Sequence, residues 1–322
     1  MTPVRVGVVG FGGFGRLHAK TLAGIAAASL AAIVDRSDGA KAHANDEHPG
    51  VPFFTDIDQA LRISGADAWV IATHTDTHIP IARTLLQAGK AVLIEKPMAP
   101  DVASANALEP LVAADSQNVM LGHLALFVPE FQHLLTEVRK RGGIRYFHGV
   151  RHRAGDHFDY FPDESPMQVT MVHDLYLAYV LTGGEEPSRM SARLHRRSDG
   201  RVDLALAEFE WPSGVWGSFT ASFLCPPGMP KDGFDRMEVF ADDWAARVQT
   251  NPRPVELWID RATWPMSLDI QTTPHASGWL AEELRCFCRV VRRQRPVPLG
   301  MRYTDGLRLQ QWLERLEASA EK

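Results

Sequence analysis

A run of apolar residues leads directly into a glycine-rich turn near the start of the chain. Residues 6–15 read VGVVGFGGFG, so that Gly10, Gly12 and Gly15 have the spacing G-x-G-x-x-G. In this spacing the first glycine permits a tight turn, the second lets the backbone approach a pyrophosphate, and the third lets a helix pack on the strand. The N–H groups of the following helical stretch would face the phosphates. We therefore predict a dinucleotide site at this turn, which also contains Phe11, Gly13 and Phe14.

An acidic residue ends the next apolar run. Asp35 lies twenty positions after Gly15, where a carboxylate binds the hydroxyls of the adenosine ribose. Its negative charge repels a 2′-phosphate and favours NAD, whereas the neighbouring Arg36 would attract that phosphate and favour NADP. NAD is the predicted cofactor, and NADP is the alternative.

A carboxylate and an amine stand together in Glu95-Lys96-Pro97, directly after a short apolar strand. Beside a nicotinamide, a lysine whose pKa is lowered toward about 7 to 8 can exchange a proton with a substrate hydroxyl. Lys96 is therefore a candidate proton carrier.

A histidine lies in a helical pattern in the second half of the chain. His173 shares a helical face with Val169, Thr170, Tyr176 and Leu177. The pattern alone leaves two interpretations open, a hydrogen-bonded core histidine or a catalyst.

The elements that must position these residues alternate as strand and helix up to about residue 141, which is typical of a doubly wound parallel sheet. In the strand order 3-2-1-4-5-6 a crevice opens beside the ends of strands 1, 4 and 5. Three loops should line it: the glycine turn, residues 73–78 with Thr73, His74 and His78, and residues 95–98. The predicted strands are 4–9, 30–34, 52–54, 68–72, 91–94 and 119–122, with helices that include 79–88 and 102–113.

Beyond about residue 144 the apolar residues recur with period two, which favours a large and mostly antiparallel sheet. We predict an α/β protein with a Rossmann domain over residues 1–122 and an α/β substrate-binding and oligomerisation domain over 123–322. Packing of the last helix on the first domain is compatible with this division. The predicted strands are 146–151, 190–195, 204–211, 215–223 and 236–240, with a hairpin turn at 211–215 and helices at 167–181, 279–293 and 303–318.

The composition argues against several classes of protein. The chain has 322 residues with 34 basic and 39 acidic side chains and no basic block, which disfavours nucleic acid as a partner. Neither a signal peptide nor a membrane-spanning run of about 18 apolar residues is apparent, so a cytoplasmic location is expected. The three cysteines are interpreted as reduced thiols, and the spacing of His148, His152 and His157 does not predict a metal site.

Taken together, these motifs resemble those of the glucose-fructose oxidoreductase, inositol dehydrogenase and MocA-like (Gfo/Idh/MocA) family. The resemblance spans essentially the whole chain, and Glu95-Lys96-Pro97 is its most specific part. The other matching segments are the glycine turn with Arg16, Leu17 and His18, Ala72-Thr73 with His78, Ala88-Gly89-Lys90, Gly122-His123 before Phe127 and Pro129, His173-Asp174-Leu175, Glu238-Val239-Phe240, Glu283-Leu284 with Phe287, and Asp305-Gly306-Leu307.

The resemblance implies hydride transfer between NAD(P) and a carbohydrate-like alcohol or ketone, that is, a sugar, a cyclitol or a nucleotide sugar. It also implies a second domain whose open sheet face covers the nicotinamide and forms a homodimer or homotetramer. Carried over by position, Lys96 deprotonates the reacting hydroxyl, His173 assists as acid or base, and Glu95 lies near the nicotinamide. The resemblance places substrate contacts among His123, Tyr160, Thr170 and Asp174.

The chain also departs from the family pattern. Relatives usually carry an aspartate four residues before the histidine, and here that residue is Val169. A carboxylate that would orient the substrate is thereby lost, and Tyr160, Asp163, Glu164 and Asp174 are candidates to replace it. The departure motivates an alternative to a carbohydrate dehydrogenase, a non-catalytic dinucleotide sensor or scaffold. A second alternative, a reductase of a non-sugar substrate, would be indicated by a pocket that is apolar on all sides.

Overall fold

The computed structural model describes residues 2–162, 164–226, 229, 235–260, 262–272 and 275–320. Their contacts divide the chain into two units. The first unit comprises Met1–Leu124 and Leu268–Leu307, and the second comprises Ala125–Ser267 and Arg308–Lys322. This division lies two residues beyond the predicted limit at 122, and it groups 268–307 with the first unit although the predicted second domain contained them.

A six-stranded parallel sheet forms the centre of the first unit, in the order β3-β2-β1-β4-β5-β6. This is the strand order that the sequence predicts. The four residues of β4 are all buried, as a central strand covered on both faces requires. The strands are β1 Val4–Val9, β2 Ala28–Val34, β3 Phe53–Phe54, β4 Ala68–Ile71, β5 Ala91–Glu95 and β6 Val119–Gly122.

Five helices connect these strands, and two of them differ from the prediction. One helix begins at Thr75, so most of the loop predicted after the fourth strand is helical. Another ends at Asn106 instead of continuing to 113, because Pro110 clashes with the carbonyl four residues earlier. The helices are α1 Gly13–Ala23, α2 Asp38–Glu47, α3 Ile57–Ile63, α4 Thr75–Gln87 and α5 Val102–Asn106.

A mixed, mostly antiparallel sheet dominates the second unit, in the order β12-β11-β7-β10-β9-β8. Only the central pair β7 and β10 is parallel among the pairings of this sheet, and the hairpin turn at 211–215 joins β9 to β10 as predicted. The elements of this unit are α6 Pro129–Arg141, β7 Ile144–Ala154, α7 His157–Tyr160, α8 Val172–Leu181, β8 Arg189–Arg196, β9 Val202–Glu210, β10 Trp216–Cys225, β11 Arg236–Ala241, β12 Ala245–Val248, β13 Leu257–Trp258 and β14 Ala262–Thr263.

The two faces of this sheet differ in burial. On β7, Phe147 and Arg151 are buried, whereas the alternating Tyr146 and His148 are partly exposed. The partly exposed side also carries large apolar side chains, among them Trp216, Leu224 and Phe240.

The segment 268–307 returns to the first unit and adds a helix to it. It contains β15 Ile270–Thr272, β16 His275–Ser277, α9 Trp279–Val291 and the first residues of α10 Tyr303–Ala320. Helix α9 packs on α1, the helix that follows the glycine turn. In the described parts of both units, none of the helices has the length and apolar character needed to span a membrane.

Candidate active site

The glycine turn between β1 and α1 has the geometry that the motif predicts. Gly10 has φ +87°, and a side chain there would meet the carbonyl oxygen of Ala72. A Cβ at Gly15 would lie 1.9 Å from the carbonyl oxygen of Gly10, so α1 can approach β1 only with glycine at this position. A Cβ at Gly12 or Gly13 would meet open space, which leaves this stretch of backbone accessible to a ligand.

The N-terminus of α1 is suited to an anion. No side chain caps the helix at Gly12, and its first turn contains no acidic residue. Its N–H groups and the positive end of the helix dipole are therefore available to the pyrophosphate of a dinucleotide. A dinucleotide therefore fits this turn.

The carboxylate of Asp35 lies at the end of β2 and is held by two backbone donors. The N–H of Phe11 donates to Oδ2 at 2.7 Å, and the N–H of Ser37 donates to Oδ1 at 2.8 Å. These bonds connect Asp35 to the glycine turn and fix the position of its charge, as a ribose-binding carboxylate requires.

A cleft of about 540 Å³ opens at the carboxyl ends of β1 to β4. Of the predicted cofactor residues, eight line it: Gly10, Gly12, Gly13, Phe14, Asp35, Arg36, Thr73 and His74. Phe11 lines a neighbouring depression together with Asp35. The other eight residues of the lining were not named as cofactor residues, although Thr77 belongs to the loop 73–78 that was predicted to line the crevice; they are Val9, Val34, Thr55, Asp56, Ile57, Ala72, Thr77 and Ile81. Three of them, Thr55, Asp56 and Ile57, follow the short strand β3, so the rule that ligands bind at the carboxyl ends of parallel strands could have found them.

His78 is buried and connects two of the predicted loops. Its Nδ1 lies 2.9 Å from the carbonyl oxygen of Pro97, and its Nε2 lies 3.1 Å from that of Thr73. Burial lowers the pKa of His78, while the two carbonyl groups oppose this shift. The side chain thus holds the Glu-Lys-Pro turn against the loop after β4.

Glu95 ends β5 and turns inward, away from solvent. Its Oε1 lies 2.8 Å from Nε2 of the fully buried His18 on α1, and its Oε2 accepts the backbone N–H of Lys96 at 3.2 Å. A Cβ at Gly122 on β6 would come within 2.7 Å of Oε1, so the carboxylate occupies space that only glycine leaves free. Lys96 follows at the carboxyl edge of the sheet.

His123 follows β6 in the same unit. Its Nδ1 contacts the carbonyl oxygen of Gly300, so this nitrogen carries the hydrogen. Burial, followed by the charge of Lys96, lowers the pKa of His123 to about 4, against the opposing effect of the Gly300 carbonyl. The imidazole is therefore neutral at pH 7, in the electrostatic field of the candidate catalytic amine.

In the second unit, a π-helical turn over Met167–Met171 precedes α8. His173 is the second residue of α8, and its ring meets Tyr176 edge-on with 5.6 Å between ring centroids. Thr170 lies in the π turn and donates its hydroxyl to the carbonyl of Pro166 at 2.7 Å. Single π turns often occur at functional sites, and this one lies directly before the candidate catalytic histidine.

Next to His173, the carboxylate of Asp174 is buried in an ion-pair network. Arg151 donates to Asp174 at 2.9 Å and to Asp235 at 3.2 Å, and Arg153 also binds Asp235. Burial raises the pKa of Asp174 to about 6, although Arg151 acts in the opposite direction. Asp174 therefore connects α8 to β7 of the sheet.

The other residues proposed in place of the missing carboxylate are close together in the sequence. Tyr160 ends α7 and is 70% exposed, Glu164 lies just before the π turn, and Asp163 lies outside the described residues.

His148 and His152 lie on β7 and bind Ser218 and Ser222 on β10 through Nδ1. Within the part of the chain that the structure describes, no three histidine, cysteine or acidic residues are placed to hold a metal ion, and the three cysteines are unpaired thiols.

Comparison with known proteins agrees with this geometry. Residues 4–123 match the family model described as oxidoreductase family, NAD-binding Rossmann fold (GFO_IDH_MocA). Over these residues the chain is similar to the Gfo/Idh/MocA oxidoreductases.

Curated relatives and solved structures are similar to the chain beyond this segment. UDP-N-acetylglucosamine 3-dehydrogenase from Acidithiobacillus ferrooxidans is 29% identical over 77% of this chain and 74% of its own length. Inositol 2-dehydrogenase from Rhizobium meliloti is 28% identical over 94% of this chain and 93% of its own length. Three other inositol 2-dehydrogenases align over only 54–61% of their own lengths. The crystal structure of scyllo-inositol dehydrogenase from Lactobacillus casei with NAD(H) and scyllo-inositol has a TM-score of 0.82 at 19% identity, covering 99% of this chain and 97% of that one.

Val169, at the position where the family aspartate was expected, has apolar surroundings. It lies in the π turn, is buried, and packs with Phe158 and Phe223, against which Phe161 also packs. The substitution is thus accommodated by an aromatic cluster, which supplies no carboxylate.

Proposed function

We propose that the chain is a member of the Gfo/Idh/MocA family and an NAD-dependent dehydrogenase of a carbohydrate-like alcohol, with Lys96 as the group that accepts the hydroxyl proton. One observation carries this proposal: the Glu-Lys-Pro turn and the open dinucleotide cleft share one edge of one parallel sheet. His78 lies within hydrogen-bond distance of the carbonyls of Thr73, which lines the cleft, and of Pro97, which follows Lys96.

Oxidation of an alcohol to a ketone removes a hydride from the carbon and a proton from the oxygen. NAD, when bound, supplies the hydride acceptor. The amine of Lys96 accepts the hydroxyl proton, a task to which a positioned base contributes about 10²- to 10⁴-fold. Neutral His123 adds no second positive charge near that amine at pH 7. His173 is proposed to assist as a second acid or base.

The substrate class comes from relatives that act on a cyclitol or a nucleotide sugar. We propose NAD rather than NADP because the carboxylate of Asp35 is fixed at the ribose position by two backbone donors. The partly exposed sheet face with Trp216, Leu224 and Phe240 supports a homodimer or homotetramer. A cytoplasmic location is retained as a prediction.

The test is a turnover assay with a matched pair of lysine variants. The purified protein is given NAD or NADP with a panel of sugars, cyclitols and nucleotide sugars, while the absorbance of reduced nicotinamide is followed. Lys96→Met removes the proposed base at the end of β5, and Lys90→Met removes a lysine that precedes the same strand at the opposite edge of the sheet.

We expect turnover with at least one substrate, a 10²- to 10⁴-fold loss of kcat in Lys96→Met, and little change in Lys90→Met. Full kcat in Lys96→Met with the best substrate would refute the role of Lys96. Tight binding of NAD without turnover across the panel would favour the non-catalytic sensor instead.

A further inference from the structure

Glu283 on α9 is a carboxyl group that the proposed reaction does not use. Its side chain is completely buried, and neither carboxyl oxygen has a hydrogen-bond partner among the described residues. A buried ionised carboxylate without a partner is strongly unfavourable, so such a group either binds a proton or has a function that keeps it there. Burial, reinforced by the charge of Glu95, raises the pKa of Glu283 well above its usual range.

His18, on helix α1 that packs against α9, has a buried nitrogen that lacks a hydrogen-bond donor within the described part of the chain. Its Nε2 faces Oε1 of Glu95, and an ionised carboxylate only accepts hydrogen bonds, so Nε2 carries the hydrogen. In a neutral imidazole, Nδ1 is then a bare acceptor. This nitrogen is buried and has no hydrogen-bond partner among the described residues. It therefore requires a donor.

We propose that Glu283 is a positioning residue, a neutral carboxylic acid that donates a hydrogen bond through one water to Nδ1 of His18, and thereby holds Glu95 in place before Lys96. The chain of donors then runs from the Glu283 hydroxyl through the water to Nδ1, and from Nε2–H to the Glu95 carboxylate. Phe14, which lines the dinucleotide cleft, meets the His18 ring edge-on with 5.0 Å between centroids. The histidine is thus fixed between the cleft wall and the Glu-Lys-Pro turn.

The proton belongs on Glu283 rather than on Glu95, because only Glu95 has donors. His18 and the backbone N–H of Lys96 both reach the Glu95 carboxylate. The alternative is an ionised Glu283 beside an imidazolium. That state has the same net charge but buries three charges instead of one, which the desolvation cost disfavours.

Among the described residues, the other charged groups on the elements that pack here lie toward the surface. The main elements that pack on α9 are α1 and β16. On α1, Arg16 pairs with Glu47 and Lys20 pairs with Asp269, and both basic side chains are partly exposed. His275 on β16 is exposed, and on α9 itself Glu282 pairs with Arg285 at the surface. Burial and the charge of Glu95 therefore govern the raised pKa of Glu283.

Three variants test this proposal, which rests on the proposed dehydrogenase function for its kinetic part only. Glu283→Leu removes the donor, Glu283→Gln retains a neutral donor, and Glu282→Gln removes a surface carboxylate one residue away. We expect Glu283→Leu to lose about 10-fold or more in kcat with little change in the Kd of NAD, Glu283→Gln to recover most of that loss, and Glu282→Gln to match the wild type.

The pH profile separates positioning from simple packing. Ionisation of Glu283 removes the donor, so the wild type should lose kcat as pH rises through the folded pKa of this group. Glu283→Gln should lack this loss. Equal alkaline profiles in the two proteins would refute the role in positioning.

Spectroscopy tests the protonation state without any turnover. We expect the infrared band of a protonated carboxylic acid at pH 7 in the wild type and its absence in Glu283→Gln. The ¹⁵N shift of His18 Nδ1 should be that of a hydrogen-bonded acceptor, and it should change in Glu283→Leu. An unchanged infrared band in Glu283→Gln, or an Nδ1 that carries a hydrogen in the wild type, would refute the proposal even if no substrate were found. Conversely, both signals with no turnover would leave Glu283 as proposed and count against the dehydrogenase alone.

Discussion

Replacement of Asp35 by asparagine should shift the cofactor preference from NAD toward NADP. The substitution retains the shape of the side chain and removes its negative charge. It also leaves one of the two backbone donors, the N–H of Phe11 or that of Ser37, facing an amide NH₂ instead of an oxygen. We therefore expect weaker NAD binding together with stronger NADP binding.

The size of the shift follows from the charges involved. Two unit charges about 4 Å apart interact by about 1 kcal/mol in water and about 4 kcal/mol at an effective dielectric constant of about 20. The ratio of the two dissociation constants should thus change by about 5- to 1,000-fold. The donor left without an oxygen should lower the free energy of unfolding by about 1–3 kcal/mol.

The assay is calorimetric titration of each protein with NAD and with NADP. Asp38→Asn is the matched control, because Asp38 is exposed in the first turn of α2 and does not line the cleft. Arg36→Ala in the Asp35→Asn background should remove the gained affinity for NADP, since Arg36 lines the cleft. If Asp35→Asn leaves the ratio unchanged, or Asp38→Asn changes it equally, the assignment of Asp35 to the ribose is wrong.

Three further predictions concern stability, measured by denaturant unfolding. Gly15→Ala should cost about 1–3 kcal/mol because its Cβ would lie 1.9 Å from the Gly10 carbonyl oxygen, whereas Gly13→Ala meets open space; equal costs would contradict the packing argument. Arg151→Met should cost about 3–5 kcal/mol, because it leaves the buried Asp174 carboxylate without a cation, whereas Arg145→Met breaks a solvent-exposed ion pair and should cost far less. The pKa of Asp174 is raised to about 6, which means that folding favours its neutral form. The wild type should therefore lose stability relative to Asp174→Asn as pH rises from about 4 through 6. Parallel pH profiles of the two proteins would show that Asp174 does not titrate in this range.

The sequence predicted the elements whose signal is local. Each strand of the first sheet is an apolar run between polar segments, and β1 and β6 have the predicted limits. The glycine turn could also be predicted, because the motif specifies the backbone conformation at Gly10 and the close approach of α1 to β1 at Gly15. Local patterns were less reliable where one residue interrupts a helix, as Pro110 does after α5.

Tertiary structure alone decided which distant segments meet. The return of 268–307 to the first unit places Glu283 on a helix that packs against the helix of His18, 265 positions earlier in the chain. Likewise, the register of β7 beside α8 brings Arg151 to Asp174, and the π turn before α8 places Val169 among aromatic side chains. A buried charge or hydrogen-bond donor is stabilised by partners from distant parts of the chain. The spacing of residues in the sequence does not locate these partners, because they are brought together by tertiary packing. The sequence by itself therefore determined the parallel sheet and the dinucleotide turn, whereas the buried partners of Glu95, His18 and Asp174 became apparent only in the folded chain.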